Sequence, residues 1–297
     1  MPRVSVLMPA HNADQHILRA VKSTLRALPA DSEIVVGCDG CTDKTELVLR
    51  AVDDSRLRVL VDSSKRGVAP TLNRLLDQSD SEIVARMDAD DICLPWRFSY
   101  QLSNWRPTEL QFANVVHFGD GYRLPRPVFP LRLEPRLSRV SLLFENAFAH
   151  PTLLTSRAVM NSLGGYRNVP AQDYDLWMRA ALRSISIRRR GLPAVMYRHH
   201  RRQITGSIDA NRQKSQSTML AETHRMLCHN VLGLELECWR ALRSEGVHGS
   251  EAGRDMALLR SSALMISADW TELEKRYLKR AIFRAQRQDP TRISSCP

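Results

Sequence analysis

Four short apolar runs, each leading into a turn and then a helix-like spacing, set the fold of the first part of this chain. They are Val4–Met8, Ile34–Val36, Leu57–Val61 and Ile83–Met87. Between the first two, Ile17, Leu18, Val21 and Leu25 recur at helical spacing within Asp14–Leu28. Helices are likewise predicted over Thr42–Ala51 and over Pro70–Leu76, where Pro70 fits a first helical turn. Short continuous apolar strands alternating with helices imply a mostly parallel sheet covered on both faces. Ligands of such sheets sit beyond the carboxyl ends of the strands. The loops Pro9–Asn12, Cys38–Asp43 and Asp88–Asp91 all follow strands, so they are expected to converge on one crevice.

The third of these loops carries the strongest chemistry. Asp88-Ala89-Asp90-Asp91 places three carboxylates in four residues at the end of a buried strand, where they repel one another. A divalent cation relieves that repulsion, and a carboxylate set with open positions suits Mg2+ or Mn2+. The plain alternative is a solvated acidic turn; the strand before the motif and Pro95 after it favour the metal. Cys38 and Cys41 form a C-x-x-C without a second such pair or a close His pair, so they read as turn residues rather than a zinc or redox site. The other cysteines are scattered, which fits a reducing compartment.

Further on, Trp105 to Val140 is rich in Pro and Arg, with one strand predicted at Asn114–Phe118. A helix over Ser156–Leu163 is stopped by Gly164-Gly165, and another spans Asp173–Leu182. Two strands are predicted near Ser184–Arg188 and Ala194–His199. The composition then turns helical: Met219, Leu220, Thr223, Met226 and Leu227 lie on one face, Gly233 breaks the run, and Gly246, Gly249 and Gly253 mark a loop. Leu258–Ile266 is a further helix, and Thr271 with Glu274 forms a capping box that opens a last one. The expected organisation is a domain over 1–208 and a helical region over 209–297.

The 297 residues are 43% hydrophobic, enough for a proper core, and contain no apolar run long enough to span a bilayer. The N-terminus reads as a first strand rather than a signal peptide, which makes the cytoplasm the expected compartment. A net charge of +11 implies an acidic partner. Zinc-finger, RNP and clear helix-turn-helix signatures are missing, so no nucleic acid is expected. Glycine fingerprints of dinucleotide and P-loop sites are missing too, as is a G-x-S-x-G elbow.

The motifs that are present resemble, in order, those of the family-2 glycosyltransferases. They are Val4-Ser5-Val6-Leu7-Met8-Pro9-Ala10-His11-Asn12, then Asp39-Gly40-Cys41-Thr42-Asp43, then Gly67 with Leu72-Asn73-Arg74. Arg86-Met87-Asp88-Ala89-Asp90-Asp91 follows, then Asn146, His150-Pro151 and Gly164-Gly165-Tyr166. Gln172-Asp173-Tyr174-Asp175-Leu176-Trp177 and Tyr197-Arg198-His199-His200 close the series. The resemblance covers residues 3–207. It implies a GT-A-type nucleotide-sugar-binding α/β fold: a mixed, mostly parallel sheet flanked by helices, here with a C-terminal α-helical module. Two positions depart from the family pattern. Cys38 stands where the family often has an Asp, and Gln172 replaces the Glu beside the base.

The resemblance also implies roles. Asp90, Asp91 and His200 would hold the metal. Asp88, Asp39, the turn of Pro9, His11 and Asn12, and the guanidiniums of Arg66 and Arg86 would bind the donor. Asp173, at a helix start, would be the catalytic base, with inversion at C1, and is equally placed to be a cap. His150, Gln172 and Trp177 would lie on the acceptor side, although Trp177 is more often a core residue. The activity expected is metal-dependent transfer of a sugar from a nucleoside diphosphate sugar to a glycan or lipid-linked acceptor, as in polysaccharide synthesis. The alternative is a non-catalytic sugar-nucleotide- or glycan-binding subunit. The last helix, Thr271 to Gln288, pairs an apolar side with six basic residues. It would lie peripherally on an anionic membrane, or pack with a solvated basic face; its narrow apolar side favours packing.

Overall fold

The computed structural model describes residues 3–127, 132–200, 213–214, 216–236 and 251–286. It divides into two compact units that interleave along the chain. The first comprises residues up to Leu133, Phe148–Asn168 and Ile185–Arg202; the second comprises Glu134–Ala147, Val169–Ser184 and everything from Gln203. The boundary expected near residue 209 lies outside the described residues.

The first unit is built on one nine-stranded sheet. Its strands are β1 (Val4–Ala10), β2 (Glu33–Asp39), β3 (Leu57–Asp62), β4 (Ile83–Arg86), β5 (Ile92–Cys93), β6 (Glu109–Gly119), β7 (Arg126–Pro127), β8 (Leu154–Ser156) and β9 (Ser186–His199). The order is β3-β2-β1-β4-β8-β6-β9-β5, with β7 paired to β6. The strands β1 to β4 are parallel, as their apolar runs predict. The short β8 enters antiparallel between β4 and β6, which makes the sheet mixed. Val4, Val6, Met8, Ile34 and Val36 are fully buried in its core. Helix α1 (Ile17–Ala27) covers them with Ile17, Ala20, Val21 and Leu25, and the same unit holds α2 (Thr45–Arg50), α3 (Val68–Asp77), α4 (Arg97–Leu102) and α6 (Arg157–Ser162). The mixed, mostly parallel architecture is the one expected.

The expected strands near Ser184–Arg188 and Ala194–His199 are one strand, β9, which runs parallel to β6 through Pro193. Proline has no N–H to give to a ladder, and the register shifts where Asn114 faces Pro193, so a bulge absorbs it. Turn chemistry elsewhere is steric. Gly40 has φ +59°, and a Cβ there would lie 2.6 Å from the Lys65 main-chain nitrogen. Gly165 has φ +67°, and its missing Cβ leaves room for Asn73, whose amide exchanges hydrogen bonds with the Tyr166 main chain.

The second unit is helical. It holds α5 (Pro135–Ser141), α7 (Gln172–Leu182) and the helices Thr218–Leu232, Glu251–Met265 and Glu272–Gln286. Ser217 caps Thr218–Leu232 at one end and Gly233, at φ +70°, closes it at the other. Gly253, expected in a loop, instead lies inside Glu251–Met265; one glycine costs a helix about 1 kcal/mol, which its neighbours outweigh. The other two loop glycines lie outside the described residues. The capping box forms as read: Thr271 and Glu274 exchange side-chain-to-backbone hydrogen bonds. In the last helix Leu278, Ala281, Ile282 and Ala285 are buried, while Tyr277 and Arg284 bind Glu145. Part of the apolar side of that helix is thus packed, while Leu273 and Phe283 remain exposed. No described helix is long and apolar enough to cross a membrane.

Candidate active site

The loops after β1 and β2 are tied to each other. Asn12, at φ +48°, accepts the Thr42 main-chain N–H at 2.8 Å and donates to the Thr42 hydroxyl. Ala13 N–H donates to Thr45, and Asp14 N–H to Asp43. A His11 ring nitrogen lies 2.7 Å from the Asp39 carbonyl. The Asp39 carboxylate is 4% exposed and accepts from the main-chain N–H groups of Arg66 and Gly67 at 2.7 and 2.9 Å. It therefore fixes the next loop, and the Arg66 guanidinium, on the outside, pairs with Asp62. Cys38 and Cys41 are free thiols. Burial, and then the Cys41 neighbour, push the Cys38 thiol up to about 12, and Cys41 donates to the Ala10 carbonyl. The pair holds a turn.

The ligand atoms of Asp88, Asp90 and Asp91 lie within 4.8 Å of one another. His200 joins them, with a ring nitrogen 2.8 Å from Asp90 Oδ2. Two parts of the fold make this meeting. β4 delivers the carboxylates, and β9, paired antiparallel to β5, returns His200. Arg198 fastens the join: its main-chain N–H donates to Asp91 Oδ1 and its Nε to the Asp90 carbonyl, both at 2.7 Å. Asp91 is 1% exposed, and its Oδ2 has no hydrogen-bond partner among the described residues. Burial, and then the Asp90 charge, push the Asp91 carboxyl well above the usual carboxylate range. An orphaned buried carboxylate oxygen beside two more carboxylates and an imidazole is a donor set that fits Mg2+ or Mn2+.

Arg86 departs from its expected place. It is 5% exposed, sits behind the cluster in β4 and pairs with Asp88, so its fork is turned away from solvent. His150 is also buried: it lies 2.9 Å from the Tyr166 hydroxyl, more a packing group than an open acceptor contact. Sequence reasoning missed Arg97, fully buried behind the same strand, and His16, whose ring lies 5.6 Å from that of His200. A lone Arg or His in a helical pattern gives no signal of either.

The remaining candidates lie on α7, in the second unit. Asp173 is in its first turn, half-buried, and accepts from the Asn146 side-chain amide at 2.7 Å. Its neighbour Gln172 is also half-buried. Trp177 is fully buried, which corrects its expected acceptor role: no sugar reaches a ring that α7 turns into the core. Asp175, which could have been a surface charge, is fully buried and paired with Arg179 at 2.7 Å.

A parallel-sheet nucleotide fold with an aspartate cluster at the strand ends defines a class, and comparison with known proteins gives the family. Residues 5–160 match the family model "Glycosyl transferase family 2". The chain belongs to that family and is a glycosyltransferase. It is 24% identical over 250 residues to the UDP-Glc:alpha-D-GlcNAc-diphosphoundecaprenol beta-1,3-glucosyltransferase WfaP of Escherichia coli, spanning 80% of this chain and 97% of that protein. Among solved structures it resembles S. aureus TarS 1-349 in complex with UDP-GlcNAc, with a TM-score of 0.58, 15% identity and coverage of 99% and 93%. The mannosyltransferase PcManGT from Pyrobaculum calidifontis, in complex with GDP-Man and Mn2+, aligns with a TM-score of 0.53 and 18% identity over 96% of this chain and 86% of that one. These likenesses establish the GT-A fold.

His150 makes stability pH-dependent. Burial, and then the Arg86 charge, hold its pKa well below the ordinary 6.5. Below pH 6.5 the unfolded chain takes up a proton that the folded chain refuses, so stability falls as pH falls, by up to about 1.4 kcal/mol per pH unit. Urea unfolding of wild type and His150→Leu between pH 7 and 5 checks this: the variant loses stability less steeply.

Proposed function

We propose that this chain transfers a sugar from a nucleoside diphosphate sugar, with inversion at C1, to a hydroxyl of a lipid-linked or polysaccharide acceptor. The reading rests on one observation above all: the Asp88, Asp90 and Asp91 carboxylates with His200, and the unpartnered buried oxygen of Asp91. Asp90, Asp91 and His200 would hold Mg2+ or Mn2+, with Asp88 between metal and donor. The ion would neutralise charge developing on the departing diphosphate. The WfaP relative acts, by its name, on a sugar carried by diphosphoundecaprenol, which supports a lipid-linked acceptor here.

On the donor side, Asp39 keeps lone pairs beyond the two that hold Arg66 and Gly67, and these would accept from the base. The Pro9–Asn12 turn, clamped to Thr42, would present a fixed edge to that base. Arg66, with a largely exposed guanidinium, would reach the diphosphate. On the acceptor side, Asp173 would take the hydroxyl proton as the hydroxyl attacks C1 from the face opposite the diphosphate. The Asn146 bond fixes one Asp173 oxygen and leaves the other to receive the proton. Gln172 would contribute acceptor hydrogen bonds without charge.

Donor turnover with Mn2+ tests the whole reading against a non-catalytic binding subunit. Asp90→Ala abolishes metal-dependent release of the nucleoside diphosphate while leaving the melting temperature near wild type. Asp173→Asn keeps donor affinity and loses transfer by about 10²-fold or more. Equal losses of donor affinity and rate would make Asp173 structural, and a product of retained configuration by NMR would remove the in-line mechanism.

We also propose that the enzyme works at the cytoplasmic face of an anionic membrane. The solvent side of Glu272–Gln286 exposes Arg276, Lys279 and Arg280 beside Leu273 and Phe283, each about half exposed. Each basic residue near such a surface adds about 1 kcal/mol. Co-sedimentation with vesicles of phosphatidylglycerol and phosphatidylcholine tests it. Binding that high salt removes, and that the triple change Arg276→Glu, Lys279→Glu, Arg280→Glu abolishes, supports the surface; equal binding by wild type and variant overturns it.

A further inference from the structure

A second set of charges stands behind the carboxylates. Arg86 pairs with Asp88, and its Nε has no hydrogen-bond partner among the described residues. Arg97, the first residue of α4 (Arg97–Leu102), is 0% exposed. Its guanidinium donates to the Arg86 carbonyl at 2.7 Å and to Gln101 at 3.2 Å, and it touches Met87 Sδ at 3.2 Å. Among the described residues it makes no ion pair. Burying a guanidinium without a carboxylate is costly, and an apolar side chain would fill the same core more cheaply. The guanidinium stays charged. It lies against the Arg86 carbonyl and the Met87 side chain, the two residues that lead directly into the aspartates, and within the field of Asp91.

Three guanidiniums thus surround the three carboxylates: Arg86 pairs with Asp88, Arg198 donates to the Asp90 carbonyl, and Arg97 donates to the Arg86 carbonyl just behind them. With three guanidiniums against three carboxylates, the cluster holds no excess negative charge before an ion arrives. A divalent cation alone would leave it with excess positive charge in a partly buried region, where charge interactions are stronger than in open water. A diphosphate arriving with the cation restores the balance.

We infer that Arg86 and Arg97 are positioning residues that set the charge of the cluster, so that the cation is held tightly only together with the donor diphosphate. This rests on the metal and donor reading of the site. Coupling of this kind is reciprocal: the nucleotide tightens the metal by the same factor as the metal tightens the nucleotide.

Mn2+ binding to the full chain, followed by the EPR signal of free Mn2+ and by calorimetry, with and without UDP or GDP, tests it. In wild type, nucleoside diphosphate tightens Mn2+ roughly tenfold or more. Arg86→Met and Arg97→Met tighten Mn2+ alone roughly tenfold and shrink the nucleotide's effect by a similar factor. Arg86→Lys and Arg97→Lys, which keep the charge but lose the fork, return the coupling towards wild type; a merely structural role would not be rescued. Circular dichroism confirms that each variant is folded, and Arg86→Met carries the test if Arg97→Met is not. Wild type that binds Mn2+ equally well without nucleotide, or folded Met variants with unchanged coupling, overturns the inference. Wild type that binds neither Mn2+ nor nucleotide overturns the functional reading instead.

Discussion

The repulsion among Asp88, Asp90 and Asp91 is the constraint around which the first unit is arranged. At the separations observed, each pair of charges costs about 3–4 kcal/mol at an effective dielectric near 20. β4 itself supplies one part of the offset, the guanidinium of Arg86. The rest comes from elsewhere in the chain: the Arg198 main chain and guanidinium and the His200 ring from the end of β9, and Arg97 from α4. β9 reaches the cluster because it pairs with β6 on one side and with β5 on the other. The long parallel β6–β9 ladder therefore serves to bring two basic residues to the aspartates across more than a hundred residues of sequence. A solvated acidic turn would need none of this. That difference separates a site from a surface loop.

The base-side loops follow a different rule. Their polar groups are spent on one another: Asn12 on Thr42, Asp43 on Asp14 and Thr45, Asp39 on Arg66 and Gly67. Burial pushes the Asp43 carboxyl up, but the hydrogen bonds from Thr45 and Asp14 outweigh it and leave the group below its ordinary value. A wall held by charged acceptors on main-chain donors is rigid before any ligand arrives. Rigidity there lowers the ordering cost of binding a nucleotide. The two groups of strand-end loops are thus stabilised oppositely: one is internally satisfied, while the other keeps a buried oxygen of Asp91 without a partner among the described residues.

What the sequence could convey follows from the range of each interaction. Three of the parallel strands were readable because Val4–Met8, Ile34–Val36 and Ile83–Met87 are buried on both faces, which leaves an apolar run in the sequence; Leu57–Val61, at the sheet edge, is only partly buried. The aspartate cluster was readable because its members are neighbours in the chain. β9 was split in two because Pro193 ordinarily ends a strand, and only the bulge opposite Asn114 shows how it is carried. Arg86 was placed at the diphosphate because residue type suggests phosphate recognition, whereas its direction is decided by the pleat and by Asp88. Arg97 left no trace, since an arginine one position into a short helix looks like any surface residue until the fold closes over it. Trp177 shows the reverse: its motif suggested an acceptor platform, and helical periodicity put it in the core with Tyr174 and Leu176.

The same periodicity separates two acids on α7. Asp173 and Asp175 are two residues apart, and such positions do not share a helix face. Asp175 faces inward, is fully buried and is held by Arg179 one turn further along. Its charge is matched within the helix by Arg179. Asp173 sits in the first turn, where unpaired main-chain N–H groups favour a negative charge. It accepts from the neutral amide of Asn146, which orients a carboxylate without cancelling its charge. Asp173 is thus oriented at the helix start by a neutral group, as the proposed base would need to be. Asp175 instead anchors the helix that presents it.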